Sequence, residues 1–327
     1  MKYFLVILFL VLFLFWGLFA GGAPLSFEDV VEALGGPLGL SYPPPLHQSI
    51  IWNFRIPRML TAFLTGSALA LAGCISQSLF RNPLADPFIV GTSAGANFGV
   101  TISYLFNILY FAPGFLATPL FAFFGALLVT FTVLLLGRKG GTLPVNTLLL
   151  AGVAANYFFV SLSSLFAVLG RNVLHRSVLW SLEGFAGANW DSFFSVLPLV
   201  LIGLLALIFL SKPLDLVLLG DEAAIGLGLN VGKLKFFLTV VVGLLTGAAV
   251  SVSGLIGFVG LVVPHIGRMI VGAKHSRLLP FSFLTGGVLL LGADNLARSI
   301  IPGFEVPVAV ITALMGVPFF IYLLRRT

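Results

Sequence analysis

Charge is scarce in this sequence. Aspartate, glutamate, lysine and arginine together make up 9% of its 327 residues, against about a quarter in an ordinary soluble domain. So few charges cannot clothe a surface that faces water, which leaves lipid as the solvent of most of the exterior. Cysteine is nearly absent as well. The lone Cys74 excludes an intrachain disulfide and a cysteine metal cluster, and its apolar setting, LALAGCISQSL, reads as that of a small buried residue. A nucleotide-binding loop is missing. The one Gly-Lys pair, Gly232-Lys233, is followed by Leu234 and has Leu227 where a Walker A loop needs its first glycine, so the chain does not bind ATP by that route. The four histidines, His47, His175, His265 and His275, are scattered without an HExxH pair, and His265, after Pro264, reads as a polar helix-end residue. No nucleophile elbow is expected. An intramembrane enzyme therefore has poor support, and no metal site, cofactor or nucleic-acid partner is implied.

What the sequence has in quantity is apolar length. Hydrophobic residues reach 59%, with 33 phenylalanines and 37 glycines, and the mean hydropathy is +1.13. Phenylalanine suits a lipid-facing surface, and glycine lets helices approach closely. A helix needs about 20 residues to cross a bilayer. Ten stretches meet or approach that length: 4–20, 57–79, 89–110, 115–137, 145–169, 194–211, 234–254, 256–273, 279–300 and 306–324. This predicts an all-α, polytopic membrane protein with one transmembrane domain over 1–327. The small residues at 20–23 resemble a signal-peptide cleavage site, but the length of the run and the nine spans after it favour a retained first span. The softest boundary lies between the seventh and eighth spans, where Gly254, Gly257 and Gly260 allow a bend or a re-entrant turn.

Orientation follows from the basic residues. With the N-terminus in the cytoplasm, the inner side receives Lys2, Arg81, Arg138, Lys139, Lys212, Lys233, Lys235, Arg268, Lys274, Arg277, Arg325 and Arg326. The outer side receives Arg55, Arg58, Arg171, Arg176 and Arg298. That excess inside is the positive-inside rule, with both termini cytoplasmic. The segments TGSALALAG (65–73) and TGAAVSVSG (246–254) are alike, and each is followed by a proline eighteen positions after its threonine, Pro83 and Pro264. They fall in the second and seventh spans, which run in opposite directions, as an inverted repeat would have them. Ionisable residues are missing near the expected midplane, where they would mark a proton or ion relay. Asp294 and Arg298, four apart, can pair on one helix face, which leaves no free relay carboxylate. An ion-gradient-driven secondary transporter is the rival of another class, and it would need one.

Six blocks carry a more specific signal. They are RIPRMLTAFLTGSALALAGCISQSLFRNPLADPFIVGTSAGA (55–96), LLLAGVAAN (148–156), WSLEGFAGANW (180–190), LGDEAAIGLGLNVG (219–232), SGLIGFVGLVVPHIGR (253–268) and ADNLARSI (293–300) with the later PVAVITALMGVPFFIYLL. In this order, over nearly the whole chain, they resemble the FecCD family, the permease subunits of ABC importers for iron-siderophores, haem and cobalamin. The resemblance implies the type II importer permease fold in a cell (inner) membrane. It also implies two copies of a cytoplasmic ATP-binding subunit, a periplasmic or lipid-anchored substrate-binding protein, and a second permease subunit forming a homodimer. The implied substrate is a metal chelate, a ferric siderophore or haem, with cobalamin or an oxyanion such as molybdate as alternatives. Family positions place docking of the binding protein on Arg55, Arg58 and Arg298. They place a cytoplasmic gate on Asn82, Pro83 and Leu84. They place ATPase coupling on Leu219, Gly220, Asp221, Glu222, Ala223, Ala224, Leu227 and Gly228, within the cytoplasmic loop 212–233. Ile225 and Gly226 stand where many relatives have longer polar or basic residues. The second to fifth spans are expected to line the pathway.

Overall fold

The computed structural model describes residues 2–107, 114–140, 142–301 and 303–324. Arg325, Arg326 and residues 108–110 of the predicted third span lie outside these. In chain order the helices are α1 (Lys2–Phe19), α2 (Phe27–Gly35) and α3 (Pro45–Ser49), which runs through a π-turn at Ile50–Arg55 into α4 (Ile56–Leu79). Then come α5 (Thr92–Leu105), α6 (Gly114–Gly137), α7 (Val145–Leu169), α8 (Val173–Leu182), α9 (Trp190–Val217) and α10 (Asp221–Gly226). The last four are α11 (Val231–Ser253), α12 (Val259–Val271), α13 (His275–Ser299) and α14 (Val308–Leu324). Among the described residues a helix stands at each of the ten predicted spans, and α2, α3, α8 and α10 lie between them.

Among the described residues seven helices are long and apolar enough to cross a membrane. Three depart from the expected lengths for local reasons. The third span starts late because Pro87–Val90 winds as a 3₁₀ turn that ends at Gly91, whose φ of +79° no helix continues through. Its α-helix has only 14 residues. The eighth, α12, has 13 residues, about 20 Å at the α-helical rise, and the tenth has 17. The boundary between the seventh and eighth spans is a true break: α11 ends at Ser253, the chain is irregular over 254–257, and Phe258 takes a φ of +68° before α12 begins. A non-glycine residue in that region is a strained bend. Its ring packs against Gly316 of α14, where any added Cβ would meet it at 2.4 Å.

Helix α4 is the centre of the molecule, with all but a few of its residues buried. It packs on α13 and α12 through bare backbone. A Cβ on Gly66 would lie 2.2 Å from the Gly286 carbonyl oxygen, and one on Gly73 would lie 1.8 Å from that of Gly260. Small residues thus pull backbones together where no hydrophobic force separates helix from lipid. On the other side of the molecule, α11 packs on α6 through Gly243 against Thr130 and Gly247 against Ala126. The second span on the ninth and the seventh on the fourth are the pair of contacts that a repeat five spans apart exchanges. The expectation that the second span lines a pathway is corrected here. A helix buried all round by its own chain has no face left for a path, and its small residues serve packing instead.

By contrast α1, α7 and α9 are rim helices with bare apolar faces, such as Phe4, Phe9 and Phe15 on the first, Leu150, Tyr157 and Val168 on the second, and Ile202, Leu205 and Phe209 on the third. Polar caps set the ends. Ser26 and Asp29 form a capping box on α2, and Asn189 and Ser192 form one on α9. Trp52 donates to the Ala33 carbonyl at 2.9 Å and Trp190 to the Trp52 carbonyl at 2.8 Å, which staples the 21–54 segment to the head of α9.

Candidate functional site

The three arginines read as docking residues converge at one end of the bundle, around a cavity of about 250 Å³ that also touches Ala186 and Glu305. The π-turn into α4 places Arg55 and Arg58, and the last turn of α13 places Arg298. All three are buried, at 4%, 8% and 6% exposure, and each is already engaged. Arg55 donates to the carbonyls of Leu18 and Ala23. Arg58 reaches Asp294 through Nη2 at 2.8 Å and Glu305 through Nη1 and Nη2 at 3.0 and 2.9 Å. Arg298 donates to the Ala20 carbonyl and to Asn295 Oδ1, and its Nε lies 3.2 Å from Asp294. The pairing of Asp294 with Arg298 expected from their spacing is present. Yet the wholly buried Asp294 makes its shorter bonds to Arg58, across 236 residues of sequence. A buried carboxylate held between two guanidiniums is satisfied, whereas one left alone would be costly.

At the opposite end, the loop after α4 carries the three positions read as a gate. Asn82, Pro83 and Leu84 are all exposed. Asn82 Oδ1 accepts from the Leu84 amide at 2.9 Å, closing a side-chain turn ahead of the prolines. Asp86 caps the next 3₁₀ turn by accepting from the Phe88 amide at 2.7 Å, and burial pushes its carboxyl up to about 6.

Helix α10 and its flanks carry the positions read as coupling residues, beside that loop. Gly220, with a φ of +109°, precedes it; Asp221 and Glu222 form its first turn, where the helix dipole favours negative charge. Asp221 accepts from Arg81 and from the buried Lys235, each at 2.5 Å. Ala224 is buried beneath, Ala223 and Gly228 are exposed, and Leu219, Ile225 and Leu227 stand out at 64%, 60% and 61% exposure. A cavity of about 460 Å³ lies against this helix, walled by Asp221, Ile225, Leu229 and Pro144.

Reading the sequence alone missed Arg81 and Lys235. Arg81 directly precedes Asn82, and its bond to Asp221 joins the loop after α4 to the start of α10. Lys235 was visible only as a charge early in the seventh span. A further cluster on the same end was also missed. His275 meets Asp215 at 2.6 Å through Nδ1 and Ser78 at 2.7 Å through Nε2, and Arg268 hydrogen-bonds Gln77. These bonds tie α4, α9, α12 and α13 together. His265 has no such role and packs its ring edge-on to Phe319. The string Gly91-Thr92-Ser93-Ala94-Gly95 has the spacing of a nucleophile elbow, which corrects the expectation that none occurs. Here it opens a helix that packs on α6, where a Cβ on Gly95 would lie 2.3 Å from the Gly125 carbonyl oxygen. No strand precedes it and no histidine bonds Ser93 among the described residues, so the elbow geometry is missing. Lys2 hydrogen-bonds the Ile270 carbonyl, which puts the start of α1 at the same end as α10 and the gate loop.

A model of the FecCD transport family matches residues 8–326. The chain is 38% identical over 309 residues to a cobalamin import system permease protein of Halobacterium salinarum, covering 94% of this chain and 80% of that protein. It is 40% identical over 283 residues to an Fe(3+)-citrate import system permease protein of Bacillus subtilis, covering 85% and 82%. Among solved structures, a metal-chelate type ABC transporter in an inward-facing conformation superposes with a TM-score of 0.84 at 33% identity, over 99% of this chain and 98% of that one.

Proposed function

This chain belongs to the FecCD transport family, and on that premise we propose that it is the permease subunit of an ABC importer for a metal chelate. It provides the path across the membrane and leaves ATP hydrolysis to a separate subunit. The observation that carries this reading is α10. A six-residue helix, anchored by Asp221 to Arg81 and Lys235, presents Ile225 to solvent, and the residues flanking it present Leu219 and Leu227. Bare apolar side chains on a rigid, charged footing suit insertion into a cleft of a partner protein. The lack of a Walker A loop supports the same division of labour.

Finer features belong to the proposal. Two copies of the chain pair as a homodimer with the pathway between them, two ATP-binding subunits sit beneath α10, and both termini are cytoplasmic in the cell membrane. Asn82, Pro83 and Leu84 close the inner end of the path. Arg81, bonded to Asp221, carries movement of α10 to that gate. Arg55, Arg58 and Arg298 orient the substrate-binding protein. Because their side chains are engaged internally, docking exchanges partners within the network rather than filling free arginines. A ferric chelate is the favoured cargo, with cobalamin next.

Reconstitution tests this. Proteoliposomes containing the chain and its ATP-binding subunit should take up a ferric chelate from its binding protein only with ATP inside the coupling compartment. Uptake by the chain alone, driven by an ion gradient, would establish the secondary transporter instead.

A further inference from the structure

Helices α6 and α11 touch through Thr130 and Gly243. Nearer the α10 end, the same two helices wall a groove of about 330 Å³. Leu134 is buried in it, while Phe131, Leu135 and Phe236 stand exposed along it. Arg138 and Lys233 line the same groove. Arg138 directly follows the apolar span Ala117–Gly137, and Lys233 lies in the first turn of the span Val231–Ser253. The groove thus has its cations at the ends of two membrane-crossing helices and its apolar walls within them.

These two charges are not spent inside the chain. Among the described residues no carboxylate lies within 4.0 Å of either, and neither side chain has a hydrogen-bond partner. Arg138 suits its place, because a cation just past the C-terminal end of a helix meets the negative end of the dipole. Lys233 does not. The first turn of α11 holds no acidic residue, so a cation there opposes the dipole. The neighbouring Lys235 is buried and answered by Asp221. Lys233 is exposed and lacks such a partner. An anion seated in the groove would answer both cations together.

We propose that this groove binds one anionic glycerophospholipid. Its phosphate sits between Arg138 and Lys233, and its acyl chains run along Phe131, Leu135 and Phe236. Charge complementarity selects the occupant, since a zwitterionic headgroup would bring a third cation beside the two already there. The apolar walls select a lipid over free phosphate, because they lie within the spans, where acyl chains are the solvent. The groove shares Leu143 and Gly232 with the cavity against α10, so the lipid stands beside the footing of that helix. The inference needs only that the chain lies in a membrane, and it holds whatever the chain carries.

The test is native mass spectrometry of the full chain in detergent micelles, titrated with dioleoylphosphatidylglycerol and, separately, with dioleoylphosphatidylcholine. For the first lipid bound, wild type should favour phosphatidylglycerol by about fivefold or more, the scale of one cation's attraction to an anionic lipid. Arg138→Ala and Lys233→Ala should each weaken phosphatidylglycerol by roughly fivefold and leave phosphatidylcholine within about twofold. Arg138→Gln and Lys233→Gln serve if an alanine variant is not monodisperse. Lys139→Ala removes an exposed cation next to the groove but outside its lining, and it should change neither affinity. Equal affinity of wild type for the two lipids overturns the inference, as does unchanged phosphatidylglycerol binding when Arg138 and Lys233 are replaced together. A loss in Lys139→Ala as large as in Lys233→Ala would mean diffuse attraction to a basic end and no site. Displacement of the lipid by excess inorganic phosphate would mean that the groove recognises phosphate alone, which also overturns it.

Discussion

The two ends of this bundle solve opposite problems. At the end of Arg58 and Arg298, charge is drawn inward: a wholly buried aspartate and two guanidiniums close a network spanning α4, α13 and the segment before α14. At the end of α10, one aspartate anchors two cations while leucine and isoleucine side chains are left bare. Internal saturation makes an end rigid and hard to perturb. Exposed apolar side chains on a charged footing mark a surface suited to a partner. The first end turns its charges inward, and the second leaves apolar side chains open to solvent.

The sharpest way to break this contrast is to remove Asp294. Asp294→Ala leaves Arg58 and Arg298 facing each other in a buried site, and the expected loss is about 3–5 kcal/mol, read as a large drop in thermal unfolding temperature in detergent. At the other end, reversing Asp221 and Glu222 together to lysine sets like charge against Arg81 and Lys235. The expected loss of stability is smaller, about 1–3 kcal/mol. Association with the ATP-binding subunit should fall by more than tenfold, measured by co-purification, and unchanged association would remove α10 from the coupling role.

How much of this contrast was legible in the sequence depends on distance along the chain. The spans were legible because each is a local run of apolar residues, and the bend near Gly254 because three glycines fall within seven positions. The Asp294–Arg298 pair was legible from its four-residue spacing. The stronger Asp294–Arg58 bond was not, because its partners lie on α13 and α4 and no local pattern links them. The same holds for Asp221, whose partners come from the end of α4 and the first turns of α11. Burial misled in the other direction. The small residues of α4 suit a polar path as well as they suit tight packing, and only the Gly66–Gly286 and Gly73–Gly260 contacts decide between them. The short third span was hidden because a 3₁₀ turn at Pro87–Val90 is as apolar as a helix.

Two smaller effects sharpen the comparison at the α10 end. Asp86, two residues after Leu84, has its carboxyl raised to about 6 from an ordinary value near 3.9. Between those values the folded chain binds a proton that the unfolded chain has released, so stability falls as pH rises through about 4 to 6 and stays lower above. Asp86→Asn keeps an acceptor for the Phe88 amide and removes the penalty. Its unfolding temperature should exceed wild type by about 2–5 °C at pH 8 and match it near pH 4. Smallest of all on stability is the pair Leu219→Ser with Leu227→Ser. Both side chains are exposed, so the isolated chain should change by no more than about 0.5 kcal/mol, while ATP-driven uptake is lost. A pair that unfolded the chain would mean these leucines belong to its own core.

The glycine contacts at the centre have a mechanical consequence. Where α4 touches α13 and α12 backbone to backbone, no side chain can swing to absorb a displacement, and a shift of one helix is delivered whole to the next. These three helices make a strut, and whatever rocks during a transport cycle must do so about its outside. Spin labels placed on α4 and α13 near Gly66 and Gly286 would then keep one separation with and without ATP, a fixed ruler against which the motion of every other helix is measured.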